Sequence, residues 1–115
     1  MNRIEKIRLQ RRTAHEKLLG MQSKVYQAFL AMEGTAFVNG TLPRKMKELI
    51  AVGISVVTDC ESCMEWHITQ AAHAGATQAE VLEAIEVAIE MGGGRATVPA
   101  RFALEVMDHV FHTPA

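Results

Sequence analysis

The sequence predicts an all-α fold, a single-domain helical bundle acting as one subunit of a homo-oligomer. Three observations carry this. Apolar residues recur at three- and four-residue steps along most of the chain, the spacing of one helix face. Proline is confined to positions 43, 99 and 114, so the intervening stretches keep every backbone donor a helix needs. With 49% of its 115 residues hydrophobic, a lone bundle of this size leaves apolar surface uncovered, which favours self-association.

From Ile4 the positions Ile7, Ala14, Leu18, Met21, Val25, Ala28 and Met32 follow helical steps interrupted by Arg11. This N-terminal arm, residues 1–35, reads as one long amphipathic helix or as two broken at Gly20. The stretch MEGTAFVNGTLP then supplies Gly34, Asn39, Gly40 and Pro43, a loop signature. Pro43 suits the first turn of the next helix, about residues 43–58, where its missing N–H is not required. After RKMKE that helix reads LIAVGISVV. Apolar on every side, its second half must be surrounded by protein.

The next helix begins near Asp59 or Cys60 and runs to Gly75, which suits a C-terminal cap. Thr77 followed by Glu80 forms a capping box for a helix over about 78–91, with Val81, Leu82, Ile85, Ala88 and Ile89 facing inward. MGGGR breaks it, and a last helix from about Ala96 carries Phe102, Val106, Met107 and Val110. Pro99 falls in its first turn. The whole chain, 1–115, is one domain whose core region spans 40–105.

Composition narrows the function. The net charge is −1, which argues against a general affinity for nucleic acid. Residues 1–19 nevertheless carry Arg3, Lys6, Arg8, Arg11, Arg12 and Lys17 against Glu5 and Glu16. No aromatic residues interleave these charges, so a solvated helix face complementing an acidic body is preferred to an RNA- or lipid-binding arm. The start MNRIEKIRLQRR has no apolar leader, and LIAVGISVV is far short of the roughly 18 residues of a membrane span. A cytoplasmic protein is expected. In such a reducing compartment a close cysteine pair suits redox chemistry or metal binding better than a permanent staple.

The chemistry concentrates in TDCESCMEWHITQA, which holds Cys60, Cys63 and His67. On a helix over 60–75 these three project from one face. A helix N-terminus favours thiolate over thiol, and an imidazole one turn below Cys63 can accept its proton. Asp59, Glu61 and Glu65 oppose this with negative charge, modestly so where they face solvent. A zinc site would need a fourth ligand that no second CxxC or HxxxH supplies. Two buried cysteines with a hydrogen-bonded core histidine form the purely structural alternative. Glu48 stands where its helix turns wholly apolar, so it either reaches water as a surface residue beside Lys45 and Lys47 or pairs with a buried group; pairing with His67 across an antiparallel contact would satisfy both. Met64 and Trp66 flank the cysteines as a candidate apolar rim, His73 suits a helix C-terminus, and His15, His109 and His112 lack companions. GGGR has neither the lysine nor the spacing of a P-loop.

KELIAVGISVVTDCESCMEWHITQAAHAGAT, with Glu48, Cys60, Cys63 and His67 in an E-x11-CxxC-xxx-H pattern, resembles the AhpD-like alkylhydroperoxidases of the carboxymuconolactone decarboxylase fold family. EVLEAIEVAIEMGGG extends the likeness over about residues 40–105. The resemblance implies an all-helical subunit of a homotrimer or homohexamer. It implies a thiol-dependent peroxidase or disulfide reductase that needs no cofactor or metal, with a small hydroperoxide as substrate and a dithiol as reductant. By the same resemblance Cys63 is the peroxidatic thiol, Cys60 the resolving thiol, His67 the proton acceptor and Glu48 its relay partner. Glu61 and Ser62 depart from members that carry a histidine between the cysteines, which bears on peroxide turnover more than on dithiol chemistry. The decarboxylases of this fold generally lack the cysteine pair, so redox chemistry is favoured over lactone chemistry. A non-enzymatic redox-sensing scaffold is the remaining alternative.

Overall fold

The computed structural model describes residues 1–112, and every regular element among them is helical. The helices are α1 (Arg3–Gly20), α2 (Lys24–Ala36), α3 (Arg44–Val57), α4 (Glu61–His73), α5 (Gln78–Gly92) and α6 (Thr97–His112), with a 3-10 turn, Gly93–Ala96, leading into α6. None of them is long and apolar enough to cross a membrane.

Two of the corners are built from the same local device. At the end of α3, Asp59 takes a left-handed conformation (φ 54°), which a short polar side chain tolerates. Its N–H donates to the Val56 carbonyl (3.1 Å) and that of Cys60 to the Ser55 carbonyl (3.0 Å), the paired bonds of a Schellman motif. Cys60 is also the N-cap of α4. One residue therefore ends one helix and starts the next. Gln22 (φ 57°) and Ser23 repeat the arrangement between α1 and α2. After α4, Gly75 at φ 96° plays the left-handed part, and Thr77 and Glu80 close the expected capping box on α5. A β-carbon at Gly92 would lie 2.7 Å from that of Ala96, so glycine is what lets the chain fold back into the 3-10 turn.

The core is shared by four helices: Val52 and Val56 of α3, Met64 and Ile68 of α4, Val81 and Ile85 of α5, and Phe102, Val106 and Met107 of α6. Ile4 anchors the foot of α1 to it. α3 and α4 run antiparallel, because the contacts Glu48–His67 and Arg44–Gln70 descend one helix as they climb the other. α2 buries none of its residues.

Several expectations need correction. α2 continues through Gly34 to Ala36, so the loop starts later than its glycine suggests; one exposed glycine in a last turn costs only about 1 kcal/mol. Pro43 is the N-cap of α3 rather than part of its first turn. Leu82 points outward. The apolar second half of α3 is covered on one side alone: Ile50, Ile54 and Val57 remain about half exposed. The chain by itself does not surround this helix.

Among the described ionisable groups Glu80 is held below the usual carboxylate range, first by the Thr77 backbone N–H and then by Lys45, whose Nζ lies 3.0 Å away. A depressed carboxylate adds stability above its unfolded value and loses it as pH falls through the folded one. Replacing Thr77 by alanine removes the cap on the Glu80 N–H and is expected to cost about 1 kcal/mol in urea denaturation. The stability difference between wild type and Glu80→Gln should vanish on acidification below the carboxylate range.

Candidate active site

Cys60 and Cys63 are joined by a disulfide, with their Cα atoms 5.2 Å apart. Cys60 does not share the helical face of Cys63 as the spacing suggested. It stands ahead of α4 in extended conformation, and its sulfur accepts the Cys63 backbone N–H at 3.2 Å. The sulfur thus occupies the place a serine or aspartate oxygen takes at an ordinary N-cap. Cys63 lies in the first turn, where unpaired backbone N–H groups and the helix dipole make the surroundings electropositive. With the sulfurs bonded to each other, no group of three or more His, Cys, Asp or Glu side chains among the described residues has the arrangement to hold a metal ion.

Glu48 and His67 meet as the antiparallel packing of α3 on α4 allows. His67 Nδ1 lies 2.7 Å from Glu48 Oε1. Glu48 is 2% exposed, and a buried carboxylate must be hydrogen-bonded on both oxygens. Arg44 Nε, one turn earlier on α3, reaches Oε2 at 3.4 Å, while its Nη2 donates to Gln70 Oε1 at 2.8 Å. An ionised carboxylate only accepts, so Nδ1 carries the proton and Nε2 is the imidazole nitrogen left for other partners. The Phe37 ring stacks on His67 with centroids 5.2 Å apart, fixing the plane that Glu48 orients.

Of the acidic residues near the cysteines, whose opposing charge is modest only where they face solvent, Glu65 does not face it. It is 1% exposed, accepting from Arg8 Nε (2.6 Å), from Arg11 Nη1 (2.7 Å) and from Thr69 Oγ1 (3.0 Å). Glu61 pairs with Arg3. The basic residues of α1 are therefore docked on α4, as the complementary-face reading holds for Arg3, Arg8 and Arg11. Arg11 goes further: its Nη2 donates to the Ser62 carbonyl at 3.3 Å and its guanidinium lies over Trp66, 5.2 Å from the ring centroid.

A cleft of about 750 Å³ opens between α1, α2 and α4. Cys63 and His67 line it, together with Trp66, Phe29, Leu30 and Tyr26; Cys60 does not. Of the expected apolar rim, Trp66 faces the cleft but Met64 is fully buried in the core. His15, read as isolated, hydrogen-bonds Tyr26 across the α1–α2 hairpin at 2.5 Å. His73, the last residue of α4, lies at the cleft's edge. Phe37, Tyr26 and the arginine partners of Glu65 escaped the sequence reading. Arg44 alone had a local signal, its i,i+4 spacing to Glu48.

The sequence profile of the carboxymuconolactone decarboxylase family matches residues 23–106. Protein 4 of the cox locus of Paracoccus denitrificans, uncharacterized, is 41% identical over 88 residues, covering 76% of this chain and 79% of the relative. An uncharacterized protein of Cupriavidus necator is 37% identical over 87 residues, 76% and 77% of the two chains. The crystal structure of lpg0406, a carboxymuconolactone decarboxylase family protein of Legionella pneumophila, superposes with a TM-score of 0.90 at 28% identity over 96% of this chain and 98% of that one. TM1620 of Thermotoga maritima, described as a family protein and a candidate for involvement in an antioxidative response, gives 0.85 at 25% identity over 93% and 91%.

The Glu48 contact makes a direct prediction. Nitrogen-15 NMR of the neutral His67 ring should show the proton on Nδ1 and an unprotonated Nε2. Glu48→Gln, whose amide can donate or accept, should mix the two tautomers; a tautomer ratio unchanged by the substitution would remove Glu48 as the orienting group.

Proposed function

The chain belongs to the carboxymuconolactone decarboxylase family, and from that premise we propose that it is an AhpD-like, thiol-dependent hydroperoxide reductase cycling between the Cys60–Cys63 dithiol and disulfide. One observation carries this reading: of the two bonded sulfurs, the one beside an oriented Glu48–His67 pair also lines the cleft. The candidate antioxidative role of TM1620 agrees with it.

In the reduced protein the Cys63 thiol gives its proton to His67 Nε2, and Glu48 stabilises the resulting imidazolium. The thiolate attacks the terminal oxygen of a hydroperoxide, the O–O bond breaks, and the alkoxide leaves with the imidazolium proton as an alcohol. Cys63 is then a sulfenic acid. The Cys60 thiol attacks its sulfur, water leaves and the disulfide forms. A small dithiol reduces it by exchange, becoming a disulfide itself. Cytoplasmic reducing conditions supply such thiols.

The position of Cys60 sharpens the division of labour. As N-cap it receives the Cys63 N–H, which favours negative charge on Cys60 as a leaving thiolate during reductive exchange. Attack on peroxide needs access and a proton acceptor. Those belong to Cys63. The same disulfide also suits a redox-sensing scaffold, a reading favoured by the uncovered stripe Met46, Ile50, Ile54 and Val57 of α3. The stripe also fits a homotrimer or homohexamer of the enzyme.

Intact mass after one equivalent of cumene hydroperoxide should show the reduced protein losing two hydrogens and both free thiols, with turnover sustained by dithiothreitol. Oxidation once without turnover would favour the scaffold. Cys60→Ser should trap a sulfenic acid on Cys63, and Cys63→Ser should lose the reaction. A sulfenic acid trapped on Cys60 in the latter protein would reverse the roles. Ile54→Glu should lower the mass found by light scattering toward a single chain while helicity is kept; an unchanged oligomer would take α3 out of the interface.

A further inference from the structure

We propose that Arg11 of α1 is a positioning residue for the Cys63 thiolate, seating the first turn of α4 and setting the sign of the charge beside the sulfur. The proposal rests on the reading that Cys63 is the reactive thiol. Residues 3–20 lie outside the stretch matched by the family profile, yet α1 grips α4 on both sides of Cys63. Arg11 bonds the carbonyl of Ser62, one residue before it, and Glu65, two residues after it.

The charges facing this turn come from every neighbouring element. On α4 itself Glu61 is paired with Arg3, and Glu65 is held by both Arg8 and Arg11. Two partly exposed guanidiniums meet the one buried carboxylate of Glu65, leaving one positive charge in excess. From α3, Glu48 is shared by His67 and Arg44. From α1, Arg12 and His15 line the cleft, and from α2, Glu33 faces it across the opening with Tyr26; His73 lies at its edge. Asp59 is exposed in the corner, where water screens it. α6 turns the apolar Phe102, Val106 and Met107 into the core and keeps Arg101, Glu105 and Asp108 exposed. Among these charges Arg11 is the cation that bonds the backbone next to Cys63, at the Ser62 carbonyl. Read as free charges, the acidic residues of α4 oppose the thiolate; read with their partners, the seam favours it.

A guanidinium that stabilises the thiolate also stabilises the reduced protein, so thiol reactivity and disulfide potential should move together. The test is iodoacetamide alkylation of Cys63 across pH, followed by peptide mass mapping, together with equilibration of the full chain against reduced and oxidised glutathione. Arg11→Gln should raise the alkylation midpoint by roughly half a pH unit, about threefold in thiolate below it, and make the disulfide about threefold harder to reduce. Arg11→Lys keeps the charge, loses the fork and should recover most of both. Glu65→Gln leaves the two arginines uncompensated and should shift both readouts the opposite way.

A merely structural ion pair predicts something else, because breaking it from either side disturbs the same contact. Shifts of the same sign in Arg11→Gln and Glu65→Gln, or an Arg11→Lys that behaves like Arg11→Gln, would overturn the proposal. If circular dichroism shows Glu65→Gln unfolded, the two Arg11 variants decide alone. A wild-type Cys63 that fails to alkylate at any pH removes the enzymatic reading and this one with it, whereas normal alkylation unmoved by Arg11→Gln removes only this one.

Discussion

Everything at the candidate site depends on the three-residue corner Thr58–Asp59–Cys60. Because Asp59 turns left-handed and Cys60 both closes α3 and caps α4, the two helices have no slack between them. They must return antiparallel. Glu48 lies nine residues above the last residue of α3 and His67 six below the first of α4; at about 1.5 Å per residue these heights differ by less than one helical turn, a gap the two side chains can span. The 2.7 Å contact between them is therefore a consequence of helix geometry once the corner is tight. A longer loop would free the register of the helices and with it the orientation of the imidazole.

Local signals made much of this legible. The Thr77–Glu80 box and the glycine at position 75 each act over a few residues and appear in the structure as the sequence implies, whereas of the three residues read onto one face of α4 only Cys63 and His67 lie on the helix, Cys60 standing ahead of it as the N-cap. The Glu48–His67 contact was readable as one of two outcomes, because an acid at the edge of an apolar helix either reaches water or finds a buried partner. Long-range pairing was not. Glu65 looks like any helical surface acid until Arg8 and Arg11, more than fifty residues earlier, cover it. Nothing within α4 announces that. Phe37, stacked on His67, and Tyr26, which lines the cleft, reach the site across turns whose angle no local pattern fixes. The outer face of α3 misled for a different reason: an all-apolar stretch states that something covers it, not which chain does.

The two buried acids, Glu48 of α3 and Glu65 of α4, carry unlike electrostatic tasks. Glu48 is met by a histidine and by one long arginine contact at 3.4 Å, which leaves its charge available to the imidazole. Glu65 is met by two arginines and a threonine hydroxyl, all within 3.0 Å. Its charge is consumed. Burial alone would make both expensive, and it is the number and kind of donors that separates a carboxylate paired chiefly with an imidazole from one that fastens α1 to α4.

The residues that break local rules fall together in space. Cysteine at an N-cap supplies a weak sulfur acceptor where serine or aspartate would hold the helix better; Asp59 sits in a conformation that glycine adopts more cheaply; Glu48 and Glu65 occupy positions an apolar side chain would fill without needing partners. Each departure lowers stability unless something nearby offsets it, and the offsets are the disulfide, the Schellman bonds, and the arginines of α1 and α3. Elsewhere Gln22 in the left-handed region and Pro43 as an N-cap without a side-chain bond are isolated departures, whereas those around Cys63 are clustered. Such departures are expected where chemistry, rather than packing, sets the choice of side chain. Their concentration around Cys63 makes the first two turns of α4 the candidate site on grounds independent of any relative.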